Sequence, residues 1–178
     1  SVDERNLPGR KPRQVPSSLC SSVLTFSGKA CRIAKNNRGL SMDLQKILEY
    51  RNSRNRFCLR LGITITELSP GFARAVKRIA EEDLNPLGVA HGGVYFTMAD
   101  NAAGSAVAAY GEKAVTLNAQ YNFMRSVKAG DTLIAEARES KHGATVSVCD
   151  VRLTDQNGTL VGTGTFTFYS LKQPLDID

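Results

Sequence analysis

Residues 92–110 (GGVYFTMADNAAGSAVAAY) hold a single charged side chain, Asp100, and are too long and too rich in alanine for a strand. They predict one long helix that is apolar nearly all round, and such a helix has to be enclosed by the rest of its domain. Ala99, Ala102, Ala103 and Gly104 put little side chain on it, so a covering layer can approach its axis closely.

The residues C-terminal to this helix supply the cover. Segments 114–127, 131–140, 144–154 and 159–169 are rich in Val, Thr, Phe and Tyr and read as antiparallel strands. Their connectors, Lys128-Ala129-Gly130-Asp131, His142-Gly143 and Asp155-Gln156-Asn157-Gly158, carry the residues that short hairpins need, so the expected sheet is a meander. Upstream, Asp43 can cap a short helix with Leu44, Ile47 and Leu48 on one face, ending near Asn52. Segments 61–68 and 72–80 flank Ser69-Pro70-Gly71 and predict a hairpin. The fold class is α+β, an antiparallel sheet wrapped around one central helix.

Composition narrows the function classes. The net charge of +6 lies in residues 1–41, which hold eight Lys or Arg against Asp3 and Glu4; residues 42–178 hold fifteen of each sign. Without a basic face on the folded part, nucleic acid is not an expected partner. Residues 1–41 show no period and read as a non-core tail, with a transit peptide, a cloning remnant or a start at Met42 as the open explanations; residues 42–178 are expected to form the single domain. Cys20, Cys31, Cys58 and Cys149 form no CxxC pair, and His91 and His142 are far apart, so no zinc site is expected. Scattered thiols and the lack of an apolar run of about 20 residues predict a soluble, cytoplasmic chain with no membrane partner, Cys58 and Cys149 acting as small apolar fillers.

The chemistry is expected between Asn85 and Asp100. Gly92 and Gly93 fall where the long helix begins; unpaired N–H groups and the helix dipole there can hold an oxyanion, and glycine lets a substrate carbonyl approach. The pair could equally just ease a tight passage from loop to helix. Asp100 lies mid-helix among Met98, Ala99, Ala102 and Ala103, where a carboxylate loses water without a basic partner in the helix. It reads as a base or nucleophile, or else as a group bonded to Asn101, to backbone or to water. Eight residues separate Gly92 from Asp100, about 12 Å along a straight helix, too far to act on one carbon. Two helices packed antiparallel across a twofold axis would bring Asp100 of one chain to the Gly92 of another, which predicts an obligate homodimer.

The run N-x-x-G-x-x-H-G-G from Asn85 to Gly93, with Asp100-Asn101 further along the helix, resembles the PaaI-like (phenylacetic acid degradation type) branch of the hotdog thioesterases. The resemblance spans about Leu61 to Tyr169. It implies a hotdog fold, dimers that pair into tetramers, and hydrolysis of acyl- or aryl-CoA thioesters to the free acid and CoA. It implies no metal and no cofactor, since CoA is part of the substrate. Carried over by position, Gly92 supplies the oxyanion N–H and Asn85 and His91 orient the thioester or the loop. Asp100 activates water or attacks directly, and Thr116 helps to place the water. Gly93, Asn101, Tyr95 and Phe123 are then expected against the substrate, and the CoA phosphates have Arg125, Lys128, Arg138 and Lys141 as candidates. Taken alone, Thr116 reads as an ordinary strand residue, His91 as a loop-fixing one and each basic residue as a solvated charge. The acyl preference would follow from how Tyr95, Phe96, Met98, Tyr121 and Phe123 face one another.

Two alternatives stand beside hydrolysis. A hotdog dehydratase or hydratase shares the fold but needs a different acid and base arrangement. A non-catalytic acyl-CoA-binding module would keep the pocket without turnover, and residues 1–41 lack the periodic helices of a DNA-binding regulator.

Overall fold

The computed structural model describes residues 34–35 and 41–177, so most of the segment assigned to a tail lies outside the described residues. Strands β1 (Ala34–Lys35) and β2 (Ser41–Met42) pair antiparallel. Asp43 caps helix α1 (Leu44–Arg54) as its position suggests, accepting the Gln45 and Lys46 amides at 3.0 and 3.3 Å. Asn55 ends α1 and caps a further helix, α2 (Arg56–Arg60), by accepting the Cys58 amide at 3.1 Å. Leu61 and Gly62 close α2 through bonds to the Phe57 and Leu59 carbonyls. The segment expected to be a strand from residue 61 therefore begins as one only at β3 (Thr64–Ser69). Gly71, at φ +75°, turns β3 into β4 (Phe72–Arg78).

A 3-10 turn (Glu81–Asp83) and a loop lead to the long helix α3 (Gly92–Ala108). Strands β5 (Glu112–Phe123), β6 (Thr132–Lys141), β7 (Val146–Asp155) and β8 (Leu160–Pro174) come next in the chain. Six strands form one antiparallel sheet in the order β3-β4-β6-β7-β8-β5. The expected meander is corrected at one step: β5 pairs with β8 at an edge and not with its sequence neighbour β6. The cause is the connection 124–131, which is not a hairpin loop. Val127 is buried, its amide is held by the Tyr95 hydroxyl at 2.9 Å and its carbonyl by the Ala90 amide at 2.9 Å, so the chain is anchored at the start of α3 before it enters β6.

The helix sits against β3 to β8. Met98, Ala99, Ala102, Ala103 and Ala106 have no exposed surface, and with Ile65, Leu133, Leu153, Val161 and Phe166 they make the core. Cys58 and Cys149 are buried in it, and burial pushes their thiols up to about 11 and about 12. On the edge strand β5 and just after it, Val115, Leu117, Phe123 and Met124 stand 48 to 62 % exposed.

Strand β5 carries a bulge between Thr116 and Asn118. Before it, Ala114 and Thr116 face the helix; after it, Ala119, Tyr121 and Phe123 do. Tyr121 lies flat over Gly162 and Gly164 of β8, its hydroxyl buried without a partner among the described residues. A Cβ at Gly164 would stand 2.8 Å from the Tyr121 ring and 2.9 Å from the Gln120 carbonyl. Gly164→Ala is expected to lower stability by about 1–3 kcal/mol through overpacking, measured as a lower urea midpoint at unchanged m-value; an unchanged midpoint would show that the Tyr121 ring and the neighbouring strand both give way at no cost.

Candidate functional site

Helix α3 begins at Gly92, with His91 as its cap. The His91 Nδ1 accepts the Gly93 amide at 2.9 Å, which in the neutral ring leaves the proton on Nε2. The Gly92 amide is one of the first N–H groups of the helix and meets no acceptor among the described residues. Asn85 shapes the loop before it: its Oδ1 accepts the Leu87 and Val89 amides at 2.9 and 3.4 Å, and its amide donates to the Val89 carbonyl at 2.8 Å. These contacts of Asn85 and His91 hold the loop and the helix start in place.

Gly92 opens into a cleft of about 330 Å³ lined by Ala90, Tyr95, Phe123, Arg125 and Ser126. A Cβ at Gly92 would stand 3.2 Å from the Phe123 ring, so a larger residue there would have to push that ring aside. Tyr95 meets Phe123 edge-on at 6.0 Å between centroids, and its hydroxyl donates to the Arg125 carbonyl at 3.3 Å. His91 and Gly93 face a different depression, of about 400 Å³, shared with Phe57, Leu61, Leu84 and Thr97.

Asp100 lies in a third cleft, of about 460 Å³, with Tyr50, Arg51, Asn55 and Thr116. It is half-buried, so in one chain the expectation that it loses its water fails: the side of α3 that carries it faces α1 and the edge strand, where the sheet does not close. Thr116 donates its hydroxyl to Asp100 Oδ1 at 2.7 Å, so these two sequence candidates are brought into contact. Arg51 of α1 stands beside them. Its Nε donates to Ser105 Oγ at 2.9 Å and its Nη2 to Asn101 Oδ1 at 3.0 Å, and burial pulls its pKa below the usual value. Asn55 Nδ2 donates to the same Asn101 Oδ1 at 3.1 Å. Asn101 is therefore turned toward α1 and α2, away from the cleft of Gly92.

The sequence candidates fall into separate groups. Gly92, Tyr95, Phe123 and Arg125 share one cleft, and Asp100 and Thr116 another with no lining residue in common. Lys128, Arg138 and Lys141 line neither; Arg138 instead lies over the Phe72 ring at 4.6 Å. Tyr50, Arg51 and Asn55 are the site residues that sequence reasoning missed. One signal for Arg51 was present, since it continues the 44, 47, 48 stripe by one more turn and so puts a charge on an apolar face. Among the described residues no three His, Cys, Asp or Glu side chains gather as metal ligands, and no helix is long and apolar enough to cross a membrane.

Known proteins match this chain in both sequence and fold. The family model described as the thioesterase superfamily matches residues 87–162. The acyl-coenzyme A thioesterase PaaI of Escherichia coli K12 is 34 % identical over 96 residues, 54 % of this chain and 69 % of that protein. The E. coli PaaI structure superposes with a TM-score of 0.68 at 28 % identity, covering 73 % of this chain and 96 % of that one. A hypothetical thioesterase of Streptococcus pneumoniae TIGR4, solved with coenzyme A, gives a TM-score of 0.61 at 31 % identity over 64 % of this chain and 88 % of its own. Fold and relatives together define an enzyme of the hotdog thioesterase class. The chain belongs to the thioesterase superfamily, in its PaaI-like branch.

The Arg51 bonds make a stability prediction. Arg51→Met keeps much of the side-chain length but removes the charged donor to Ser105 and Asn101. It is expected to cost about 1.5–3 kcal/mol, read as a shifted guanidinium unfolding midpoint; a shift under about 0.5 kcal/mol would mean that water replaces the guanidinium at no cost.

Proposed function

We propose that this protein hydrolyses acyl-CoA thioesters to the free acid and CoA at two equivalent sites formed across a homodimer. The observation that carries this is the Thr116–Asp100 hydrogen bond in a cleft separate from that of Gly92 on the same helix. A protomer thus holds two half-sites, and a twofold axis between antiparallel α3 helices joins each to its complement. The exposed apolar residues Val115, Leu117, Phe123 and Met124 at the edge strand suit a surface that a second copy covers. Pairing of two such dimers into a tetramer is part of the proposal.

In the composite site the thioester carbonyl accepts a hydrogen bond from the amide of Gly92 of the partner subunit, where the helix dipole favours developing negative charge. Asp100 Oδ2, left open by the bond of Thr116 to Oδ1, takes a proton from water as that water adds to the carbonyl carbon, or attacks the carbon itself. The C–S bond then breaks and CoA leaves as a thiolate that is protonated. On the direct route water cleaves the resulting acyl-aspartate and restores Asp100. Support for this pair comes from the S. pneumoniae thioesterase, solved as variants in which an aspartate and a threonine sixteen positions apart are each replaced by alanine; the same spacing separates Asp100 and Thr116.

The aromatic surroundings of Gly92 suit an aryl or other flat apolar acyl group. Tyr95, Phe123, Tyr121 and Phe96 form a connected set with centroids 4.7 to 6.3 Å apart. Arg125, which lines the same cleft, is the sequence candidate best placed to meet a CoA phosphate.

The test monitors CoA release from aryl, short, medium and long acyl-CoA thioesters. Wild type is expected to turn over at least one class. Asp100→Asn, folded and of unchanged oligomeric mass, should lose at least about a hundredfold in kcat, and Thr116→Val about tenfold, the equivalent of one hydrogen bond. Binding without turnover by wild type, or full activity in Asp100→Asn, would overturn the assignment.

A further inference from the structure

Lys77 is 4 % exposed on the inner face of β4, in line with Ala73, Ala75 and Ile79. An ammonium in such surroundings needs partners, and it has two. Its Nζ lies 2.7 Å from Oδ2 of Asp83, itself 4 % exposed, and it donates to the Leu61 carbonyl at the end of α2. The same Asp83 oxygen accepts the Ala80 amide at 2.8 Å. The main-chain carbonyl of Asp83 accepts the His91 amide at 2.8 Å, and His91 is the residue whose ring holds the Gly93 amide at 2.9 Å. Gly92 lies between the two residues that this chain of contacts fixes.

We propose that the Lys77–Asp83 ion pair is a positioning unit for the oxyanion-binding amide of Gly92. The pair fixes the Asp83 carbonyl, that carbonyl fixes His91, and His91 sets the direction of the Gly92 N–H. The inference rests on the assignment of Gly92 given above. A buried ion pair adds little stability over an apolar pair of similar volume, so stability alone does not account for it. It does impose one geometry, because the ammonium and carboxylate are directional and hold three chain segments at a single point. An oxyanion donor has to stand at the place the charged oxygen will occupy, and that placement depends on its supporting contacts. Loosening the support weakens the transition state more than the bound substrate, so kcat falls while KM holds.

The test replaces both partners, Lys77→Met with Asp83→Asn, which removes the charges and keeps an acceptor for the Ala80 amide. kcat and KM are measured on the acyl-CoA that wild type hydrolyses fastest, with circular dichroism and oligomeric mass confirming the fold. A folded double variant is expected to lose at least about tenfold in kcat, with KM within about twofold of wild type. Wild-type kcat in the folded double variant would overturn the proposal. If the double variant does not fold, Asp83→Asn alone is measured by the same criterion; if neither folds, the pair is a requirement for folding and the positioning proposal is overturned. Asp100→Asn run in parallel separates the two readings. Full activity in Asp100→Asn removes the site assignment itself, whereas loss there with an unimpaired double variant removes only the function given to the ion pair.

Discussion

Enclosing helix α3 in a single curved sheet imposes the constraint under which the other features arise. A helix that touches strands along most of its length can carry only small or apolar side chains on the enclosed faces, and Ala99, Ala102, Ala103 and Ala106 meet that requirement with no exposed surface. Two places remain for polar chemistry. One is the first turn, where the Gly92 N–H has no acceptor among the described residues; the other is the strip that faces α1 and the sheet edge, where the sheet leaves a gap. Gly92 occupies the first and Asp100 the second. Their separation along the helix is a result of the enclosure.

The loops and the N-terminal helices serve these two places. Asp83 and Val127 hold His91 and Ala90, just before the helix start, through main-chain bonds, and Asn85 ties up the loop that leads to them. Arg51 and Asn55 converge on Asn101, the residue after Asp100, and Arg51 also reaches Ser105 about one turn further on. Each of these two places is therefore bordered by groups from outside the helix, among them a cation on an otherwise apolar face: Lys77 near the first, Arg51 at the second.

Much of this was legible in the sequence because it rests on local chemistry. The Asp43 cap, the turn at Gly71 and the start of α3 at its glycine pair depend on a few adjacent residues and fall where they were expected. The length and apolar character of residues 92–110 were enough for the central helix. The partner of β5 was not legible, because strand composition does not say which edge a strand joins; long-range anchoring of Val127 decided it. Thr116 entered the candidate site only through family resemblance, as a residue that helps to place water, and its bond to Asp100 came from the structure, since nothing in a β-branched strand residue marks it as a hydrogen-bond donor to a helix. Arg51 and Lys77 did leave a trace, each a charge at a position where the apolar period predicts none.

The bulge in β5 ties the two clefts together as a matter of heredity. Thr116 precedes the extra residue and Phe123 comes after it, yet both face the helix, one beside Asp100 and the other over Gly92. In a regularly pleated strand residues seven apart point to opposite sides. Removing one residue near Leu117 would turn one of the two away from the helix, and adding one would do the same. This stretch of the gene can therefore drift by substitution but not by single-codon insertion or deletion. Lineages that keep both residues at work inherit the irregularity with them.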